Sequence, residues 1–288
     1  MAITAVVTDS TASIPETLLN DLHIYQVAYY IHRGNEVLRD LVSIKRKEFL
    51  IWLPTAVKLP TTACPGMGDY LKLYQQLAEE GIREIISIHM TSRGSGAYQA
   101  AKAAKTMLLE TLPNLHIEVI DTLNVSLCQG LIAIESARAV MAGKRLPEIL
   151  ETIKQMIPRV HMLQTADTLR YLYLGGRIGK AVHLMGSMLS LKPLISMENG
   201  EIVSLGVARG LTKAYEKMID RIQKNVGENT RIKIAYVHAG ALEQIEKLRE
   251  IAEKKLTITE SITAELSPAL MVHTGPGTTG LCYYSVLD

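Results

Sequence analysis

Apolar runs alternate with amphipathic stretches along the first half of the chain. The runs AVVT (residues 5–8) and IISI (85–88) are apolar at nearly every position, as is typical of strands that helices cover on both faces. Ser13 and Glu16 have the spacing of a helix capping box. Ala97, Ala101, Ala104 and Leu108 recur on one helical face. This pattern predicts an α/β fold with a doubly wound, mostly parallel sheet and helices on both of its faces.

The pattern changes near Pro158, after which strands no longer alternate with helices. Residues 194–208 read LISMENGEIVSLGVA, in which Asn-Gly joins two strand-like runs and indicates a β-hairpin. An amphipathic helix (211–226), a strand (231–239), a charged helix (243–255) and a last strand (279–287) follow. We therefore predict an N-terminal lobe over residues 1–158 and an α+β C-terminal lobe with a mixed or antiparallel sheet over residues 159–288.

Composition and charge bear on the binding partners, the cellular compartment and metal binding. The chain has 288 residues and a net charge of +2, which argues against a strongly basic nucleic-acid-binding or membrane-surface protein. The three cysteines are widely spaced and form no CxxC pair, so we expect free thiols in a reducing compartment. The N-terminus lacks the basic region of a signal peptide, and we expect a cytoplasmic protein. Histidines and carboxylates show no metal-binding spacing, and no metal is expected.

Four loops rich in hydroxyl and short amide side chains follow predicted strands or precede predicted helices. A single loop of this kind commonly only caps a helix. Four alike favour a shared ligand site at the carboxyl ends of parallel strands, with neutral donors for a carboxylate or phosphate. These loops are Thr8–Thr11, Pro60–Thr62, Thr91–Ser95 and Asp121–Asn124.

The sequence motifs for catalytic and nucleotide-binding sites are incomplete in this chain. Ser95 has glycine on each side but Arg93 at the first position of a GxSxG elbow, so the α/β-hydrolase motif fails. A triad of Ser95, His273 and Asp9 stays open, because triads assemble across long sequence distances. The segments GPGTTG (275–280) and GGRIGK (175–180) lack the context of a dinucleotide fingerprint and of a P-loop. His273 and Arg209 are each compatible with a structural role or with a ligand contact.

Eight segments, in order along nearly the whole chain, resemble the DegV family of bacterial lipid-binding proteins. They are VVTDSTASIP (6–15), TTACPGMGDY (61–70), TSRGSGAYQAA (91–101), DTLNVSLCQG (121–130), LRYLYLGGRIGKA (169–181), KPLISMENGEI (192–202), VARGLTKA (207–214) and HTGPGTTG (273–280). The resemblance implies a two-lobed protein that encloses one long-chain fatty acid in a tunnel between the lobes. It implies a lipid carrier with no cofactor other than this bound ligand.

The resemblance also implies the residues of the site. Thr62 and Ser95 are expected to hold the fatty-acid carboxylate, with Arg209 and His273 completing the polar network. Thr61 takes the place of Thr62 if the alignment shifts by one residue, and Ser126 is expected nearby. Four positions depart from the family pattern. Arg93 stands where the family usually has a small residue, and Ala63, Cys64 and Gly66 stand where it usually has Ser, Gln and Ser.

Proteins of this kind present the bound fatty acid to a separate fatty acid kinase, and the resemblance implies such a partner here. Only transient membrane contact and no nucleic acid are expected. Two rival functions stay open: a serine esterase or acyl transferase that uses Ser95 and His273, and a sensor of a small phosphorylated metabolite. Candidate wall segments are Leu184, Met185, Met188, Leu189 and parts of residues 131–141. A helix that covers a sheet has the same apolar pattern, so the pattern favours ordinary core for each of them.

Overall fold

The structure is a computed structural model that describes residues 3–186 and 191–286. Its strands, numbered in chain order, are β1 (Thr4–Asp9), β2 (Ile24–Val27), β3 (Tyr30–Arg33), β4 (Glu36–Arg39), β5 (Thr61–Ala63), β6 (Glu84–His89), β7 (His116–Asp121), β8 (His161–Thr165), β9 (Leu191–Glu198), β10 (Glu201–Arg209), β11 (Arg231–His238), β12 (Thr257–Glu265) and β13 (Thr279–Ser285). Its α-helices are α1 (Glu16–Asp21), α2 (Arg46–Trp52), α3 (Met67–Glu79), α4 (Ala97–Thr111), α5 (Leu127–Met141), α6 (Leu146–Met156), α7 (Arg170–Leu174), α8 (Leu211–Val226), α9 (Leu242–Glu253) and α10 (Pro268–Thr274).

The first lobe is built on a parallel sheet with the strand order β2-β1-β6-β7. Strands β1 and β6 are buried at every residue except the first, which requires helices on both faces. Helix α4 packs on β6 and β7 beside α3, and α5 packs on β1 and β6 beside α6. The predicted doubly wound arrangement is therefore confirmed, and Ala97, Ala101, Ala104 and Leu108 form the buried face of α4.

A small antiparallel sheet with the order β4-β3-β5 was not predicted. Strand β5 has three residues, and β4 is largely exposed, so neither carries an alternating apolar pattern. Strands β4 and β5 are recognised instead by their hydrogen-bonded pairing with β3. Thr62 lies opposite Ile31 in this sheet, which fixes the direction of the Thr62 side chain.

The predicted capping box at Ser13 and Glu16 is wrong. Ser13 adopts a left-handed conformation with φ of 53°, and α1 begins at Glu16 without a side-chain cap. The Ser13 hydroxyl instead accepts a hydrogen bond of 3.0 Å from the backbone N–H of Ser267. A contact between distant parts of the chain thus takes the place of the local cap.

The second lobe contains a six-stranded mixed sheet with the order β10-β9-β8-β13-β11-β12. Only β11 and β12 pair in parallel, and the other neighbours are antiparallel. Strands β9 and β10 form the predicted hairpin, with φ of 51° at Asn199 and 82° at Gly200. Both angles are positive, as a type I′ turn requires. Helix α8 has the predicted bounds.

The hydrophobic core joins the two lobes. Strands of the first two sheets precede residue 158 and the six-stranded sheet begins at His161. One large buried cluster nevertheless contains Val7 and Ile86 together with Val237 and Leu270. A second cluster lies between the six-stranded sheet and helices α8 and α9. None of the helices in the described parts of the chain has the length and apolar character needed to cross a membrane.

Candidate functional site

A cavity of about 490 Å³ lies where residues of the two lobes meet. This volume falls within the range typical of small-molecule sites. The lining residues from the first lobe include Thr11, Tyr29, Thr62, Cys64, Met90, Thr91, Arg93, Ser95 and Ser126. Those from the second lobe include Met162, Gln164, Leu172, Arg177, Lys180, Ile195, Met197, Glu201, Leu270 and His273. Three of the four residues predicted to bind a carboxylate therefore line one cavity.

Thr62 and His273 form the first polar pair of the cavity. The Oγ1 atom of Thr62 is 2.8 Å from Nε2 of His273, although 211 residues separate them. His273 lies in the last turn of α10, a helix that begins at Pro268 and whose N-cap is Ser267. The Ser267 hydroxyl accepts a hydrogen bond from the N–H of Leu270 and so satisfies a free donor of the first turn. Both partners are thus held by regular secondary structure.

Ser95 and Tyr29 form the second polar pair. Their hydroxyl oxygens are 2.6 Å apart, and Ser95 also accepts a hydrogen bond of 3.3 Å from the N–H of Ala97 at the start of α4. Burial raises the pKa of Tyr29 well above its usual value, so its phenol stays protonated and can act as a donor. Tyr29 was missed at the sequence level because VAYY resembles an ordinary strand end.

His273 is neutral at pH 7. Burial, assisted by the nearby charge of Arg177, lowers the pKa of His273 to about 4. Its Nδ1 atom has no hydrogen-bond partner among the described residues. The cavity therefore presents hydroxyl groups and an uncharged imidazole to a ligand, and Arg177 in the cavity lining is the cation whose charge acts on that imidazole.

Arg209 does not belong to this site, in contrast to the prediction. It is exposed at the last position of β10, opposite Leu191, and the cavity is lined at the other end of that hairpin by Gly200 and Glu201. A strand rises about 3.4 Å per residue, so the eight steps from Glu201 to Arg209 carry the chain roughly 27 Å away. The sequence neighbours of Arg209 gave no sign of this distance.

Arg93, whose presence the family pattern did not explain, forms an ion pair across the edge of the cavity. Its guanidinium is 3.2 Å from Glu201, and the same carboxylate is 3.1 Å from the ammonium group of Lys180. Next to this pair, the Thr91 hydroxyl donates a hydrogen bond of 2.9 Å to the carbonyl of Gly200. The loop before α4 is thereby tied to the turn of the β9–β10 hairpin.

The proposed triad of Ser95, His273 and Asp9 is not assembled. Asp9 is fully buried and its Oδ2 lies 3.0 Å from Nδ1 of His89, whereas Ser95 contacts Tyr29 and His273 contacts Thr62. The other oxygen of Asp9 accepts a hydrogen bond from the N–H of Thr11. Asp9 thus fixes the end of β1 rather than orienting a histidine in the cavity.

Apolar side chains make up much of the remaining wall. Met90, Met162 and Met197 are among them, and methionine adapts to ligands of different shape. The candidate wall residues 131–141 belong to α5, whose Leu131 and Ile132 are core residues, as the apolar pattern favoured. Leu184 packs beside a small cluster around Ile178. Met188 and Leu189 lie outside the described residues, as does the side chain of Met185.

Over residues 3–186 and 191–286, no group of three or more His, Cys, Asp or Glu side chains is placed to hold a metal ion. The three cysteines are free in the structure. Cys64 lies at the cavity, and the other two are buried.

The sequence of this chain is similar to that of a known protein family and of individual proteins. The family model described as the DegV family matches residues 3–286. A DegV domain-containing protein of Caldanaerobacter subterraneus is 29% identical, and the alignment covers 97% of this chain and 98% of that protein. A DegV domain-containing protein of Streptococcus pyogenes is 30% identical over 95% of each chain.

Solved structures agree in fold. A DegV family protein from Thermus thermophilus, described as binding fatty acid, has a TM-score of 0.91 at 28% identity over 98% of this chain and 99% of that one. DegV from Bacillus subtilis, described as a fatty acid binding protein, has a TM-score of 0.85 at 26% identity over 98% and 99% of the two chains. The mixed α/β architecture is thus shared along the whole length of these proteins.

Proposed function

The chain belongs to the DegV family, and on this premise we propose that it binds one long-chain fatty acid. The carboxylate is held by Thr62 and Ser95, and the acyl chain lies along the apolar part of the cavity. The observation that carries this proposal is the pairing of both hydroxyls with partners that orient them, Thr62 with His273 and Ser95 with Tyr29, in one cavity lined by methionine and aliphatic side chains.

The energetics of such a site are dominated by the acyl chain. Burying alkyl groups stabilises by about 0.8 kcal/mol per CH₂, so a sixteen-carbon chain contributes about 12 kcal/mol before the costs of binding. Hydrogen bonds from neutral groups each add far less. The polar pairs therefore orient the ligand and contribute less to the binding free energy than the acyl chain does.

The cation of the headgroup site is Arg177 in this proposal, in place of Arg209. Arg177 lies in the cavity lining and its charge acts on His273. An approaching carboxylate is attracted by this charge, while neutral His273 contributes its Nδ1 as a further hydrogen-bonding atom. Depending on its tautomer, His273 donates either to the ligand or to Thr62.

Presentation to a separate fatty acid kinase is the second part of the proposal. A carboxylate oxygen of the bound ligand attacks the γ-phosphorus of ATP held by the partner, and the products are an acyl phosphate and ADP. Two cations at the cavity edge support this step. The side chains of Arg93 and Lys180 are 54% and 71% exposed, and their positive charges attract the anionic phosphates of ATP.

Binding is tested by titrating delipidated protein with stearic acid by calorimetry. The variants Thr62→Val and Ser95→Ala are each expected to weaken binding about tenfold, since each leaves its partner and the carboxylate without a hydrogen bond. Thr61→Val is the matched control, because Thr61 is exposed and lies outside the cavity lining. Equal losses in the Thr61 and Thr62 variants would contradict the assignment, and delipidated wild type that takes up no fatty acid would refute the function.

The division of labour is tested by trapping acyl phosphate with hydroxylamine. Hydroxamate is expected only when this chain, a fatty acid kinase, ATP and fatty acid are all present. Product formed by this chain without the kinase would refute the proposal. The esterase alternative predicts a loss of several orders of magnitude in turnover of a model ester for Ser95→Ala, whereas a binding protein shows no such turnover to lose.

A further inference from the structure

The cavity wall contains a buried glutamine whose side-chain nitrogen is unpaired among the described residues. Gln164 lies on β8 and is only 5% exposed, yet it lines the cavity. Its Nε2 atom is buried and has no hydrogen-bond partner among the described residues. Side chains alternate along a strand, so Met162 and Gln164 face the cavity while Leu163 points into the second core cluster.

Ser126 provides a second polar group of the same kind from the other lobe. It precedes the fifteen-residue helix α5, is 3% exposed and lines the cavity. Its hydroxyl makes no capping bond and has no partner among residues 3–186 and 191–286. The backbone of Ser126 has φ of 59° and ψ of −146°, a region that glycine adopts far more readily. Glycine would relieve this strain, so the hydroxyl is what serine adds at this position.

Neither of these two groups is hydrogen-bonded to the residues proposed to hold the carboxylate. The hydrogen bonds of Thr62 and Ser95 go to His273, Tyr29 and Ala97, and none within the described residues goes to Gln164 or Ser126. A saturated acyl chain would displace water from the cavity and leave both groups unpaired, which is unfavourable for a buried donor. A ligand with its own hydrogen-bonding group in the chain would pair with them.

We infer that the preferred ligand is a long-chain fatty acid with a hydroxyl group on its acyl chain, hydrogen-bonded by Gln164 and Ser126. This inference rests on the proposed function and specifies its substrate class. An amide offers both a donor and an acceptor, and a serine hydroxyl does the same, so a chain hydroxyl can be accommodated in either role. The two groups together discriminate between hydroxylated chains and unsubstituted chains of equal length.

The test compares stearic acid with a set of hydroxystearic acids that carry the hydroxyl at different carbons. Delipidated full-length protein is loaded with a fluorescent fatty acid, and displacement by each ligand gives its affinity. At least one isomer is expected to bind about tenfold more tightly than stearic acid, the discrimination of a site whose polar groups would otherwise stay unpaired. In Gln164→Leu and Ser126→Ala this ratio is expected to fall below about threefold.

Two controls separate this test from a failure to fold or to bind. Gln155→Leu makes the same substitution at an exposed glutamine of α6, outside the cavity lining, and is expected to keep the wild-type ratio. Gln164→Leu is expected to bind stearic acid at least as tightly as wild type, which a merely structural glutamine would not allow. If stearic acid binds and no hydroxylated isomer binds more tightly, or if the ratio survives both polar substitutions, the inference is wrong while fatty-acid binding stands. If no fatty acid binds, both fail.

Discussion

At the scale of single residues, the two polar pairs at the carboxylate end of the cavity are uncharged groups that orient one another, and Arg177 is a further residue of the cavity lining. Tyr29 fixes Ser95, and His273 fixes Thr62. Because burial keeps the phenol protonated and the imidazole neutral, the site does not change its charge between mildly acidic and neutral pH. Ligand exchange is then governed by the acyl chain and by the cavity edge.

The depressed pKa of His273 predicts a defined pH dependence of stability. The unfolded imidazole binds a proton below pH 6.5, whereas the folded one resists protonation until about pH 4. The unfolded state therefore holds more protons in this window, and the free energy of unfolding falls as the pH decreases from 6.5 to 4. The loss attributable to His273 reaches about 3 kcal/mol below pH 4.

Chemical denaturation of wild type and His273→Gln between pH 4 and pH 8 measures this effect. The difference between the two free energies of unfolding is expected to be constant above pH 6.5. Below pH 6.5 the wild type is expected to lose more stability than the variant does. Asp40 acts with the opposite sign, because burial raises its pKa to about 6 and its contribution is lost as the pH rises from 3.8 through 6. Asp40 is present in both proteins, so it cancels in the difference. A difference that stays constant down to pH 4 would contradict the neutral, buried state of His273.

At the scale of secondary-structure elements, the sequence predicted what is determined locally. Helix α8 and the β9–β10 hairpin have the predicted bounds and turn, because amphipathic periodicity and Asn-Gly are properties of a few consecutive residues. The sheet of β3, β4 and β5 was missed, since short strands depend on their partners. Arg209 was assigned to the site from the family resemblance, and the length of β10 places it outside the cavity lining.

The ion pair of Arg93 and Glu201 links two elements and predicts an effect on ligand exchange. Arg93→Ala removes a contact between the loop before α4 and the hairpin turn, and it is expected to increase the dissociation rate of bound fatty acid about threefold. The free energy of unfolding is expected to change by less than about 1 kcal/mol, because exposed ion pairs contribute little to stability. Stopped-flow transfer of a fluorescent fatty acid to lipid vesicles measures the rate.

Arg145→Ala is the matched control for this experiment. The ion pair of Arg145 with Glu148 is also exposed, and it lies at the start of α6 outside the cavity lining. Its loss is expected to leave the dissociation rate unchanged. The effect of Arg93→Ala is also expected to shrink at high salt, since screening weakens the wild-type pair. Equal rates for Arg93→Ala and wild type at low salt would show that the pair does not restrain the cavity edge.

At the scale of the whole molecule, the two lobes are less independent than the sequence suggested. The six-stranded sheet begins at His161, and residues 1–158 and 159–288 remain the predicted division. The largest buried cluster nevertheless contains residues from both sides of that position. Helix α10, near the C-terminus, packs on α2 and β3 of the first lobe. No local pattern in the sequence indicates this docking.

A shared core predicts that the protein unfolds in a single cooperative transition. Separating the lobes would expose the common apolar cluster and the docking surface of α10, and the free energy lost in this way is large compared with the marginal stability of a domain. Differential scanning calorimetry of the full chain is expected to show one transition. Saturating fatty acid contacts residues of both lobes, so it is expected to raise the melting temperature of the whole transition. When the ligand concentration is one hundred times the dissociation constant, the free energy of unfolding is expected to increase by about 2.7 kcal/mol.

Fragments 1–158 and 159–288 made separately are expected to lack cooperative melting and to bind the hydrophobic dye ANS. Two resolved transitions, of which only one moves with ligand, or a fragment that melts cooperatively by itself, would show that the lobes are independent folding units.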